Sequence, residues 1–329
     1  MSNYTWLYIQ QHPQEVKRLL GITYEQLEQL IEQGKILHQI KLDYLEIQKV
    51  RIIKSGGGKS AKLSLEEQIV LTLVYLRHHV TFQVLGLLFQ VSESTAHNLF
   101  NYWQELFREG LPASLLEQVK KLEENEVEIQ DSLQQYELIV DSDEQDRERP
   151  SDYQTQKKYY SGKQKNHTFK NQFIVLPLGQ DIVDAVVGRP GPLSDINLCR
   201  ERLSLFHPQQ KLIGDKAYVG EVQIKTPKKK PKHGELTAEQ VQLNKNISNH
   251  RIFVEHLIRV VKIFKVAQER FRLRKDRYSS VLLTICGLVR LRKGSLILEI
   301  VKASNSQETI EVIKHHSFGL DLALVACNA

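Results

Sequence analysis

Between residues 135 and 289 the apolar pattern changes period several times, and the order of those changes leaves few folds open. Gln135–Asp141 reads as a strand built on the run Leu138-Ile139-Val140. Thr168–Leu176 and Ile182–Val187 read as an antiparallel pair around Pro177-Leu178-Gly179-Gln180. Ile196–Leu205 has helical spacing, Gln210–Gly214 is again a strand, and Tyr278–Val289 is a last helix. Thr237 and Gln240 form a capping box that opens a long helical region to about Gln268, with Asn249 as a candidate break. The stretch DSDEQDRERPSDYQTQKKYYSGKQK after the first strand reads as a charged loop, and Lys216–Gly234 as a basic one. The order is strand, antiparallel pair, helix, strand, helix, which predicts a mixed sheet of the α/β class.

Three acids fall at special places in that order. Asp141 ends the first strand, Asp215 follows the run Leu212-Ile213-Gly214, and Glu255 lies in HRIFVEHLIRVVKIFK. A carboxylate at the end of a buried strand points into the crevice where open α/β sheets take ligands. In the helical segment Arg251, Glu255 and Lys262 fall within about 40° of one another at 100° per residue. Val254, Leu257, Ile258, Val261 and Phe264 form a separate apolar stripe. Singly, each feature has an ordinary explanation: an i, i+4 salt bridge on a solvated helix, or an aspartate favoured by a turn. Together they are the donors needed to hold a pair of Mg²⁺ ions for phosphoryl transfer. Both the order of elements and the positions of the acids are those of a ribonuclease-H-like sheet.

Upstream, the pattern is helical. Residues 1–53 carry Leu19-Leu20, Leu27, Leu30-Ile31 and a heptad-like Leu37, Ile40, Leu45, and SGGGKSAK at 55–62 reads as a flexible linker. A phosphate-binding loop is excluded there, because its first glycine would fall on Ile53. Residues 63–112 form a compact unit: Ser64 starts one helix, Thr81 caps Phe82–Phe89, and Ser92 caps a helix through Trp103. This is the layout of a helix-turn-helix. Ala96, Leu99, Phe100 and Trp103 form its packing stripe, while Ser94, His97, Asn98 and Asn101 form a polar face able to bond bases or phosphates. The same pattern fits a plain helical hairpin, since that helix lacks Arg and Lys through Trp103. Residues 113–135 read as an acidic connector, 136–293 as the catalytic domain and 294–329 as a tail.

Charge follows the same division. The chain of 329 residues has a formal net charge of +6, which suits a polyanionic partner. Residues 113–150 hold twelve acids against four bases, whereas 216–275 hold fifteen Lys or Arg against five acids. A basic flank beside a carboxylate site suits a phosphate backbone. The three cysteines are too far apart for a zinc spacing or a disulfide framework. The N-terminus lacks a signal-peptide pattern and no apolar run approaches a membrane span, so an intracellular location is expected. Tyr159 and Tyr160 are expected to pack the sheet, and His97, His167 and His256 show no metal-ligand spacing.

In order and spacing, the motifs IVDSDEQDRERP, YYSGKQKNHTFKNQ, GDKAYVG, TPKKKPKHGELT and HRIFVEHLIRVVKIFKV resemble the DDE transposases of bacterial insertion sequences. The likeness is to the insertion-sequence-five group, related to the Harbinger transposases, over about residues 63–293. It implies that Asp141, Asp215 and Glu255 are the metal-binding triad for two Mg²⁺ ions, with Mn²⁺ able to substitute. It also implies that Arg251 and Lys262 hold phosphate oxygens. Two positions depart from the family: Ser248 stands where a tyrosine is common, and Ser142-Asp143-Glu144 stands where Gly-Thr-Glu is common. Asp143 thus adds a carboxylate beside the triad. Lys216, next to Asp215, is either a DNA contact or a solvated lysine.

The resemblance implies an enzyme that nicks double-stranded DNA at the ends of its own element and joins the 3′-hydroxyls to target DNA. Such an enzyme would work as a homo-oligomer on DNA, in the bacterial cytoplasm near the nucleoid and away from membranes. Two other readings remain at this point: a transposase-derived DNA-binding protein, and an endonuclease on the same fold that cuts without joining.

Overall fold

A computed structural model describes residues 4–48, 61–122 and 126–298. The expected linker at 55–62 and tail at 294–329 lie largely outside the described residues.

The N-terminal region is helical: α1 (Tyr4–Gln11), α2 (Val16–Leu20), α3 (Tyr24–Ile47), α4 (Leu65–His78), α5 (Phe82–Phe89) and α6 (Glu93–Gly110). The caps legible in the sequence are all made. Ser64 forms a capping box with Glu67, and Thr81 and Ser92 accept from the third backbone N–H of their helices. Between α5 and α6 the chain turns tightly at Gln90, in the left-handed region. Gly86 permits the close approach, since a Cβ there would lie 2.7 Å from the Val91 carbonyl oxygen. α6 runs to Gly110, well past Trp103, because its second half also packs: Gln104, Leu106 and Phe107 are buried.

Then come α7 (Leu115–Lys121) and α8 (Glu126–Gln134), β1 (Glu137–Asp146), α9 (Tyr153–Tyr159), β2 (Tyr160–Ser161), β3 (Asn166–Val175) and β4 (Ile182–Pro190). They are followed by α10 (Asp195–Leu203), β5 (Lys211–Ile213), β6 (Ile224–Lys225), α11 (Ala238–Lys262), α12 (Lys265–Gln268) and α13 (Tyr278–Lys293). The strand order is β2-β3-β1-β5-β6, with β4 also paired to β3. β3 runs antiparallel to β1 and β4, while β5 is parallel to β1 and β6 parallel to β5. This is the mixed ribonuclease-H-like sheet that the element order predicts.

Four details differ from the sequence reading. β1 continues five residues past Asp141. The charged loop contains α9, capped by Asp152. The basic loop contains β6. α11 is unbroken at Asn249 but stops at Lys262, where Phe264 turns extended and buries its ring against Gly21.

The sheet separates two cores. Leu138, Val140, Ile174, Leu212 and Tyr218 face one way, with Leu133 of α8 and Cys199 of α10. Ile139, Phe173 and Val175 face the other, and that core continues through α11 and α13 into α3, α4 and α6. α13 joins the helical region to the sheet. Gln104 of α6 donates to Ser280 and Thr284, and Gly287 leaves room for Leu111. The fully buried Arg290 donates to Asp181 (2.7 and 2.9 Å) and to the carbonyls of Pro112 and Ser114.

Candidate active site

Alternation along β1 sorts its polar end. Residues i and i+2 share a face, so Asp141, Asp143 and Gln145 lie beneath α11 and α12, while Ser142 and Glu144 turn to the other core. Each finds a partner. Gln145 donates to the carbonyls of Val266 and Glu269, both at 2.7 Å. Ser142 meets the Tyr218 hydroxyl at 2.8 Å. Glu144 accepts from Thr168 at 2.6 Å.

Asp215 reaches Asp141 through strand register. β1 and β5 pair in parallel up to Ile139 and Ile213, so two residues further along each strand the two aspartates stand side by side. The Asp215 carboxylate accepts from the Ala217 N–H at 2.7 Å, which fixes its rotamer. Tyr218 holds this turn against β1, and Gly214 lies beneath its ring, where a Cβ would come within 2.8 Å. The buried Tyr218 hydroxyl touches Ser142 and Gln172. Pattern reading missed Tyr218; the available signal was an aromatic three residues after an acid at a strand end.

α11 supplies the third part. Its Arg251 Nη2 lies 3.0 Å from Asp141 Oδ2 and 3.6 Å from Glu255 Oε1. The i, i+4 salt bridge therefore exists, but the guanidinium also spans to the sheet. Lys262 Nζ lies 2.6 Å from Asp143 Oδ1. Burial pushes the Asp141 carboxyl above its ordinary range; Arg251 opposes that shift and the nearby Asp215 charge adds to it. Burial likewise raises Asp143, against the pull of Lys262.

Partly buried negative charge, made wholly of hard oxygen donors and only partly offset by a cation, is a setting that fits a divalent metal. The fit is best at Asp141 and Asp215. Glu255 is more exposed and connects to Asp141 through Arg251. Among the described residues no three His, Cys, Asp or Glu side chains converge closely enough to hold an ion as they stand.

On α6, Ser94, His97 and Asn98 are exposed and Asn101 is half-buried. Asn101 stands 3.1 Å from the His97 ring and accepts from Arg277 at 3.3 Å. Arg277, just before α13, also binds Glu105 and Gln104. It sets a guanidinium beside the first half of that helix, which has no Arg or Lys through Trp103, a neighbour no local pattern shows. Lys216 is exposed. Tyr159 packs edge-on against Phe169 beneath Arg147, whereas Tyr160 is half exposed. Among the described residues no helix is long and apolar enough to cross a membrane.

Comparison with known sequences agrees with this architecture. Residues 140–290 match the DDE superfamily endonuclease family, and residues 61–113 match the helix-turn-helix of DDE superfamily endonucleases. A probable transposase for insertion sequence element IS702 from Microchaete diplosiphon is 31% identical over 233 residues, spanning 68% of this chain and 79% of that protein. A solved Mos1 transposase paired-end complex with left transposon end aligns over 77% of this chain and 82% of its own, at 10% identity and a TM-score of 0.19. With a helix-turn-helix packed on a mixed sheet, and with the insertion-sequence transposase matched at 31% identity over 79% of its length, the chain belongs to the DDE transposases of insertion sequences.

Proposed function

We propose that this transposase cuts DNA at the ends of its own element and joins the freed 3′-hydroxyls to target DNA. Asp141, Asp215 and Glu255 are the residues that would hold its divalent cations, two Mg²⁺ ions for which Mn²⁺ can substitute. The observation that carries the reading is that Asp141, within β1, lies beside Asp215, just past the end of the neighbouring parallel strand β5, beneath the helix that bears Glu255 and Arg251. When bound, the cations supply Lewis-acid activation of the attacking oxygen and charge stabilisation at the leaving 3′ oxygen.

The chain's own residues do the rest. The backbone N–H of Ala217 orients Asp215, and Tyr218 holds the Asp215 turn against β1. Arg251 and Lys262 present cationic donors suited to non-bridging phosphate oxygens. In the free protein those donors rest on Asp141 and Asp143, so a phosphate entering the site would meet cations already seated beside the sheet. The face of Ser94, His97, Asn98 and Asn101 would meet the element end, with Lys216 touching DNA beside Asp215. Two ends brought together imply at least a dimer on DNA.

Asp141→Asn, Asp215→Asn and Glu255→Gln each keep shape while weakening a ligand. Each is expected to abolish Mg²⁺- or Mn²⁺-dependent cleavage of a labelled element-end duplex and to leave binding of that duplex intact. Full cleavage by any one of them removes that residue from the site. The same assay with added target DNA separates joining from cutting alone.

A further inference from the structure

We propose that Asp143 is a positioning residue for Lys262, holding its ammonium on the sheet face beside Asp141 so that it is already in place when a DNA phosphate arrives. The inference rests on the reading of this site as a DNA-cleaving centre.

Both partners are fixed at their backbones. Asp143 lies on β1 between Asp141 and Gln145, and Gln145 is tied to α12 through the carbonyls of Val266 and Glu269. Opposite Asp143, β3 contributes Asn171, which donates to the buried Tyr278 hydroxyl at 2.8 Å. Lys262 is the last residue of α11, and Val261 before it and Phe264 after it are buried. The remaining freedom is in the lysine stem, whose four rotatable bonds would otherwise let the charge wander. The 2.6 Å bond to Asp143 Oδ1 removes that freedom. Both side chains keep some exposure, 32% for Lys262 and 20% for Asp143. An ammonium has three donors, so one can stay on Asp143 while another turns outward.

Register separates Asp143 from the metal-binding pair. Asp141 stands beside Asp215, whereas Asp143 lies two residues further along β1, roughly 7 Å away, towards Lys262. The cation nearest to Asp141 is Arg251, and that nearest to Asp143 is Lys262. The site thus holds two acid–base pairs side by side, one containing a triad member and one not. The pattern of residues alone hid this role, because an extra aspartate two residues from the first looks like a competing ligand.

The test uses the full chain and four variants: Asp143→Asn, Asp143→Glu, Lys262→Ala, and the double Asp143→Asn/Lys262→Ala. Single-turnover cleavage of a labelled element-end duplex is expected to slow by about ten- to a hundredfold in Asp143→Asn and in Lys262→Ala. The double variant is expected to be no slower than Lys262→Ala. Asp143→Glu should recover part of the rate, and the Mn²⁺ concentration for half-maximal cleavage should not move. Losses that multiply in the double variant, or a raised Mn²⁺ requirement, overturn the proposal and make Asp143 an independent ligand. A lowered melting temperature with normal cleavage also overturns it, leaving Asp143 a structural role only.

A measurement without catalysis keeps the two ideas apart. Labelling with an amine-specific reagent, read by mass spectrometry, should show Lys262 becoming more reactive in Asp143→Asn. Unchanged reactivity overturns the proposal even if the site cleaves DNA. Full cleavage by Asp141→Asn would instead sink the reading of the site, with the labelling result untouched.

Discussion

Replacing Arg290 with Met tests the joint between the helical region and the sheet. Arg290 is 1% exposed and makes five hydrogen bonds: two to Asp181, one each to the carbonyls of Pro112 and Ser114, and one to Gln118. Met fills much of the volume but donates nothing. Among the described residues Asp181 would keep Ser295 and its own neighbour's N–H at Ile182 as donors, and the Pro112 carbonyl would lose its partner. Removing one member of a buried ion pair costs about 3–5 kcal/mol. Unfolding temperatures move by roughly 2–4 °C per kcal/mol in chains somewhat smaller than this one, so a fall on the order of 10 °C is expected in a thermal melt. The double variant Arg290→Met/Asp181→Leu removes the stranded carboxylate and should recover part of the loss. Recovery stays incomplete because the Pro112 carbonyl still lacks a donor, an unsatisfied buried group costing about 1–3 kcal/mol, whereas the Ser114 carbonyl keeps the Gln118 N–H at 3.0 Å. A single-variant loss below about 1 kcal/mol, or a double variant no better than the single, would refute this account of the joint.

Three further outcomes are expected. Tyr218→Phe removes one hydroxyl from a set in which Ser142 and Gln172 still bond each other at 3.2 Å; it should cost about 1 kcal/mol in denaturant titrations and slow cleavage by more than that loss explains, through the Asp215 turn. Burial lowers the pKa of His79 from its ordinary 6.5, against the opposing pull of Glu269. A lowered histidine pKa means the unfolded chain takes up the proton first, so stability present above pH 6.5 should decline as pH falls below it. Urea titrations at pH 8 and pH 5.5 should show a smaller difference in His79→Asn, a residue that tolerates the left-handed backbone there. Ser94→Ala and Asn98→Ala should each weaken binding to the element end by about 1–3 kcal/mol if they contact bases, while binding to random duplex in the same titration stays unchanged.

The sequence was most legible where local chemistry decides structure. Ser64, Thr81, Ser92 and the Thr237–Gln240 box each act within one turn of their own helix, and each is made. The order of strands and helices along the chain followed from the period of the apolar runs. The second half of β1 was hidden because its residues are polar on both faces. Asp143, Gln145, Ser142 and Glu144 are tolerable in a strand only through Lys262, the Val266 and Glu269 carbonyls, Tyr218 and Thr168, all distant in sequence. The site divided the same way. The helix angle placed Arg251, Glu255 and Lys262 on one side of their helix, and the apolar runs put Asp141 and Asp215 after strands, while the register that sets them side by side came from the structure. Yet the partners that Arg251 and Lys262 choose on β1, and the seat of Arg277 beside α6, are set by tertiary packing that no window of sequence contains.

The unbroken core through α6 and α13 has a consequence for the DNA. A helix-turn-helix hung on a loose tether could sample many orientations over the cutting site, but here it shares buried side chains with the sheet. If α6 grips the element end as proposed, the duplex should therefore meet Asp141 at one rotational phase. B-DNA completes a turn in 10–10.5 base pairs, so each pair inserted between the gripped sequence and the cut would rotate the scissile phosphate by about 34°. Roughly five pairs would carry it to the opposite side of the helix, and about ten would restore its angle but displace it by a full turn. The length of the segment between grip and cut should then be under tighter constraint than its base sequence.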